Sequence, residues 1–71
     1  MKILTQSEAR ALKGALTFLG ALGTPFYSIT LGEGDAAATI KVDEGIIKIQ
    51  NSMLYEIFGS IQDFAFHYDL K

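Results

Sequence analysis

The chain contains no cysteine and only one histidine, His67, among its 71 residues. Without cysteine it can form neither a disulfide nor a thiolate zinc site, and it offers no thiol nucleophile. A single histidine also leaves little for metal binding or proton relay. We therefore expect no metal site, no cofactor and no catalytic residues, and the composition favours a non-catalytic protein.

Charge is also scarce, since eight acidic and six basic side chains give a net charge of −2. The dense cationic surface typical of nucleic-acid binders is missing, which argues against a nucleic-acid partner. An uncharged run covers residues 14–32, but Gly20, Gly23 and Pro25 interrupt it too early for a membrane-spanning helix. A basic start before a short apolar stretch is typical of a signal peptide, although Glu8 argues against one. We expect a cytoplasmic protein that does not enter a membrane.

Apolar side chains are abundant and make up 49% of the chain. A domain of this length buries only about 60% of its unfolded surface, and the gain then roughly cancels the loss of conformational entropy. Neither disulfides nor metals can make up the difference, so part of the apolar surface is expected to contact another molecule. We expect a single domain over residues 1–71 that forms a homo-oligomer, with a dimer favoured.

Residues 5–8 predict the start of the first helix. Thr5 can accept a hydrogen bond from a first-turn amide, and Glu8 can reach back to the Thr5 amide, as in a capping box. Gly23 and Pro25 predict its end. Two adjacent apolar stripes at helical spacing make a face wider than one sheet surface needs. The stripes are Leu12, Leu16 and Leu19, and Ala11, Ala15, Phe18 and Leu22.

Three strands are predicted next, over residues 26–31, 36–42 and 46–50. The first two are joined by a glycine-rich turn at residues 32–35, and the last two by a turn around Glu44-Gly45.

Alternation along these strands tests how they pair, because successive side chains point to opposite faces. Pairing Leu31 with Ala36, and Val42 with Ile47, collects most of the large apolar side chains on one face. Its members are Tyr27, Ile29, Leu31, Ala36, Ala38, Ile40, Val42, Ile47 and Ile49. Both hairpins then agree on a single apolar face, which the first helix can cover.

A second, short helix is predicted over residues 53–58, with Asn51 or Ser52 as its cap and Gly59 as its end. Residues 63–70 predict a last strand, because four apolar residues alternate there with alanine, histidine and aspartate. The predicted order is α-β-β-β-α-β, an α+β fold on a small antiparallel sheet with the first helix packed across one face.

The same alternation places the large apolar side chains of Phe26 and Ile46 on the polar sheet face, where burying them adds little to the stability of an isolated monomer. Several aromatic residues also crowd the last third of the chain, where they are either core or interface. We predict a protein interface on the polar sheet face, with Phe26 and Ile46, and on the last strand, with Phe66, His67 and Tyr68. Tyr55 of the second predicted helix is a further candidate.

These observations favour a small protein-binding module that self-associates and acts on a larger protein as a stoichiometric inhibitor or adaptor. Such proteins are frequent in phages and mobile elements. A second hypothesis is that the chain is a DNA-associated transcriptional regulator, in which a dimer brings Lys41 and Lys48 of two chains together. A third interpretation is that the chain is a small enzyme or ligand-binding protein whose site lies between protomers and uses His67, Tyr68 and Asp69.

Overall fold

The described residues fold as a four-stranded antiparallel sheet with two helices on one side, which confirms the predicted α+β class. This computed structural model describes residues 2–70. The elements are α1 (Gln6–Ala21), β1 (Phe26–Leu31), β2 (Ala38–Asp43), β3 (Ile46–Gln50), β4 (Tyr55–Phe58) and α2 (Ile61–His67). The strands pair in chain order, so β1 and β4 form the two edges of the sheet.

Helix α1 begins and ends where the sequence predicts. The Thr5 hydroxyl accepts the Glu8 amide at 3.1 Å, and the Glu8 carboxylate accepts the Thr5 amide at 2.9 Å, which completes the capping box. Gly23 follows the last turn with a positive φ of 74°, a conformation that glycine adopts without steric cost. Leu12 and Leu16 are buried against the sheet.

The β2–β3 hairpin has the predicted register. Val42 pairs with Ile47, and the intervening turn is Glu44-Gly45, whose φ angles of 50° and 89° are both positive. Positive φ at both central residues is the requirement of a type I′ turn, whose twist matches that of the flanking strands.

The β1–β2 hairpin differs from its predicted register by two residues. Leu31 pairs with Ala38 instead of Ala36, because Gly34–Ala36 forms a 3-10 turn and delays the start of β2. A shift of two residues leaves every side chain on its predicted face, since the side-chain period of a strand is two. The predicted apolar face is therefore the buried one.

The helix predicted over residues 53–58 is wrong, because residues 55–58 form strand β4. The Asn51 side-chain oxygen accepts the amides of Met53 at 2.8 Å and Leu54 at 2.7 Å. It therefore stabilises a tight turn between β3 and β4. Asparagine makes the same hydrogen bonds at turns and at helix starts, so the residue type alone does not distinguish them.

The strand predicted over residues 63–70 is also wrong, because helix α2 occupies most of that segment. Ser60 caps it, with its hydroxyl accepting the Asp63 amide at 3.1 Å. Phe64 and Tyr68 are one helical turn apart and buried, whereas Phe66 points to solvent. The observed order is therefore α-β-β-β-β-α.

Candidate protein-interaction surface

The sheet has one buried face and one face that neither helix covers in the described part of the chain. The register assigns alternate residues to this second face, which we call the open face. Antiparallel sheets often leave one face to solvent, and that face is normally polar. The residues of the open face are Phe26, Ser28, Thr30, Thr39, Lys41, Asp43, Ile46, Lys48, Gln50, Tyr55 and Ile57.

Three large side chains on β3 and β4 form an apolar ridge on the open face. Tyr55 and Ile57 follow each other along β4, and each is 59% exposed. Ile57 pairs with Lys48, and Ile46 lies two residues before Lys48, so the two isoleucines are diagonal neighbours. Ile46, Tyr55 and Ile57, which we call the β4 ridge, therefore run along one side of the open face.

A pair of like charges lies beside the β4 ridge. Lys41 pairs directly with Lys48 in the β2–β3 ladder, as the predicted pairing of Val42 with Ile47 implies, and Lys48 in turn pairs with Ile57. Like charges in directly opposed positions are slightly destabilising, so the fold itself gains nothing from this arrangement. The open face thus offers a cationic centre next to an apolar ridge.

Of the six predicted interface residues, the structure brings three together. Phe26, Ile46 and Tyr55 are exposed on the open face, while Phe66 is exposed on α2, on the helical side of the sheet. Ile57 is a further exposed residue of the open face that the sequence does not indicate, because residue 57 is predicted to lie in a helix. The signal that marks it is the tight turn at Asn51 followed by a run of strand-forming residues.

The remaining two predicted interface residues, His67 and Tyr68, take part in a polar cluster around Glu56. Tyr68 is buried, and its hydroxyl donates to Glu56 Oε1 and accepts the Leu4 amide at 3.2 Å. Glu56 Oε2 lies 3.4 Å from both the Ile3 amide and His67 Nε2. Glu56 thus stands on the helical side of β4 and binds both ends of the described chain.

The third interpretation uses His67 and Asp69 in one site, but in the structure the two side chains have different partners. His67 lies in the last turn of α2 beside Glu56, and Asp69 lies 3.7 Å from Lys2 through its Oδ2 atom. Residues 2–70 contain no group of three or more His, Cys, Asp or Glu residues placed to hold a metal ion.

The hydrogen bonds of the Glu56 cluster stabilise the fold by linking β4 to both ends of the described chain. Burial raises the pKa of Tyr68 above its ordinary value, and the hydrogen bond to Glu56 raises it further. A tyrosine with a raised pKa stays protonated and keeps donating its hydrogen bond, which is the opposite of what a general base or nucleophile requires.

Among residues 2–70, neither helix is both long and apolar enough to cross a bilayer. Comparison of the chain with protein-family models, with curated proteins and with solved structures gives no match.

Proposed function

We propose that this chain is a small, non-catalytic protein-binding module that self-associates and binds a larger protein through its open face. The exposed β4 ridge carries this proposal, since three adjacent large side chains lie outside the core. In this proposal the protein acts in the cytoplasm as a stoichiometric inhibitor or adaptor, in the manner of small phage and mobile-element proteins.

The β4 ridge has the composition of an interface centre. Tyrosine is enriched among the residues that dominate binding energy, because it buries a large area with few rotatable bonds. Burying a full isoleucine side chain contributes about 1.5–3 kcal/mol, and neither Ile46 nor Ile57 obtains that gain within the monomer. A partner that covers the ridge supplies it.

The lysine pair indicates the chemistry of the partner. Lys41 and Lys48 lie at the centre of the open face, so a docked surface must place acidic side chains or water opposite them. A partner with an apolar groove bordered by aspartate or glutamate fits both the β4 ridge and the lysines.

Capture from the source cell tests the proposal when variants are compared in parallel. Immobilised wild-type protein and the Phe66→Ser variant should retain the same partner in equal amounts. A double variant, Tyr55→Ser with Ile57→Ser, should lose it while keeping its circular dichroism spectrum. Equal capture by the wild type and the double variant would contradict binding through the open face. When the purified partner is titrated with this protein, binding should saturate at a single molar ratio.

The lysine pair also supports a second candidate, the DNA-associated regulator. Self-association would bring two such pairs together, and four lysines could contact phosphates along one duplex. This candidate predicts a gel shift of duplex DNA at about 50 mM salt that weakens steeply as salt increases. If no shift is seen at low salt, or if Lys41→Ala with Lys48→Ala leaves a shift unchanged, DNA binding by this face is excluded.

A further inference from the structure

Strand β1 has an outer edge that is unpaired in the described part of the chain, where β1 pairs only with β2. The Pro25 carbonyl accepts the Glu44 amide at 2.8 Å, which fixes the phase of the hydrogen-bond ladder. In an antiparallel ladder the residues that point inward and outward alternate. Phe26, Ser28 and Thr30 therefore direct their amides and carbonyls away from the sheet.

The two edges of the sheet are protected differently. Strand β4 is four residues long and carries Glu56 on its helical side, and a short strand with an inward-pointing charge resists further pairing. Strand β1 is six residues long and contains neither charge nor proline. It thus lacks these protections, although proteins that work as monomers normally block such an edge.

An apolar stripe of α1 lies along the same edge. A groove of about 300 Å³ separates α1 from β1, and Ala11, Ala15, Ile29 and Leu31 contribute to its walls. Farther along α1, Phe18 is 65% exposed and lies on the stripe that contains the two alanines.

Leu22 continues this stripe after Phe18 and is 63% exposed. The neighbouring stripe, which contains Leu12 and Leu16, is buried against the sheet. The width of the apolar surface of α1 therefore exceeds what the monomer uses, and the unused part borders the unpaired edge of β1.

We propose that β1 pairs antiparallel with β1 of a second copy, and that the Ala11, Ala15, Phe18 and Leu22 stripe of α1 packs against its counterpart. This inference rests on the proposed self-association and assigns it to a surface different from the open face. The product is a two-fold symmetric dimer with a continuous eight-stranded sheet and two adjacent helices.

The outward-pointing residues define the register of this pairing. A two-fold axis through Ser28 places Phe26 opposite the partner's Thr30, and the three outward residues of each strand supply six main-chain hydrogen bonds. On the helical side, Tyr27 then faces the partner's Ile29, an aromatic and β-branched pair of the kind that stabilises sheets. Every residue in the new ladder is uncharged.

The helices fit the same symmetry. Helix α1 runs antiparallel to β1, since the Ala11 and Ala15 region lies beside Leu31 and the Gly20 region lies beside Tyr27. Two antiparallel copies of α1 then bring the large Phe18 of one helix to the level of the small Ala15 of the other. Large against small is the arrangement that lets facing helices interdigitate.

A second copy of this chain fits the surface better than other occupants. An extended peptide added to β1 would satisfy its edge but would leave Phe18 and Leu22 exposed. Self-association through the open faces would instead place Lys41 and Lys48 against, or close to, their own copies. Pairing at β1 covers both apolar features and brings no like charges together.

Sedimentation velocity from about 1 to 100 µM tests the proposal. The wild type should reach twice the 7.7 kDa chain mass, and Phe66→Glu on α2 should behave identically. Phe18→Glu should weaken dimerisation at least about a hundredfold, because in a two-fold symmetric dimer the substitution removes the apolar contact of residue 18 in both copies. Ser28→Pro should also give a monomer, since it removes an outward amide without touching the β1–β2 ladder. Circular dichroism should show that both variants remain folded.

Each contrary result has a distinct meaning. A wild type that stays monomeric at 100 µM, or a Phe18→Glu variant that still dimerises, overturns the β1 dimer. Dimerisation that survives Phe18→Glu and is lost in the Tyr55→Ser, Ile57→Ser double variant moves self-association to the open face. Capture of the larger partner is scored separately, and loss of capture only in the double variant leaves the proposed function intact.

Discussion

Replacing Tyr68 with phenylalanine removes a single hydroxyl that joins three separate parts of the chain. That hydroxyl donates to Glu56 on β4 and accepts the Leu4 amide just before α1, while its own ring packs beyond the end of α2. Phenylalanine keeps the ring and its contact with Phe64, whose centroid is 5.1 Å away. The substitution therefore tests the hydrogen bonds and leaves the packing in place.

The expected loss follows from the partners left behind. A hydrogen bond to a charged group contributes about 1.5–3 kcal/mol, and a buried amide without a partner costs about 1–3 kcal/mol. Glu56 retains the Ile3 amide and His67 nearby, which offsets part of the loss. We expect Tyr68→Phe to lower the free energy of unfolding by about 2–4 kcal/mol, a large fraction of the stability of a small domain.

Urea unfolding followed by circular dichroism measures this difference, and Tyr55→Phe is the matched control. The Tyr55 side chain is exposed on the open face, so removing its hydroxyl should change the stability by less than about 0.5 kcal/mol. In thermal unfolding, Tyr68→Phe should lower the Tm by at least about 8 °C. Equal stabilities of the two variants would show that the hydrogen bonds of the Tyr68 hydroxyl do not stabilise the fold.

Alkaline pH gives an independent check of the same group. Because the pKa of Tyr68 is raised in the folded state, its contribution is fully present below the ordinary tyrosine value of about 10. Above that pH the unfolded chain loses the proton more readily, so the contribution falls as pH rises. The stability difference between wild type and Tyr68→Phe should therefore shrink above about pH 10. Tyr27, whose pKa burial also raises, is present in both proteins and cancels. A constant or growing difference contradicts this reasoning.

Two further substitution pairs test the C-terminal third by urea unfolding. Phe64→Ala should cost about 3–5 kcal/mol, and Phe66→Ala less than about 0.5 kcal/mol, since Phe64 is fully buried and Phe66 is 87% exposed; similar losses would favour a strand, with both rings on one face. Ser60→Ala should cost about 1 kcal/mol by removing the α2 cap, whereas Ser52→Ala, at an exposed turn, should be nearly neutral; the reverse order would contradict the observed helix start.

The candidate surface could be predicted only in part. Side-chain alternation in β1 and β3 was sufficient to place Phe26 and Ile46 on the open face, because alternation is a local property of a strand. Ile57 could not be placed, since its face depends on β4 pairing with β3. The role of Tyr68 could not be predicted either, because its partners Leu4 and Glu56 are distant in the sequence.

The sequence by itself determined α1, the β2–β3 hairpin with its register, and the faces of the side chains in β1 and β2, although not the register of β1 against β2. Their signals are local: a capping box at Thr5, a turn at Glu44-Gly45 with positive φ, and a consistent alternation of apolar residues. Neighbouring residues suffice to satisfy these requirements, so no distant contact is needed to decide between alternatives.

Only the tertiary structure decided which parts of residues 51–70 form a strand and which form a helix. Asn51 can cap a helix or close a turn. Phe64, Phe66 and Tyr68 alternate as in a strand of period two, but Phe64 and Tyr68, four residues apart, also fit one face of a helix. Packing resolved the ambiguity: Phe64 meets Phe58 edge to face at 5.5 Å, and the Tyr68 hydroxyl reaches Glu56 across β4. A helix buries these two side chains together and leaves Phe66 in solvent, and that gain exists only once β4 and α1 are in place.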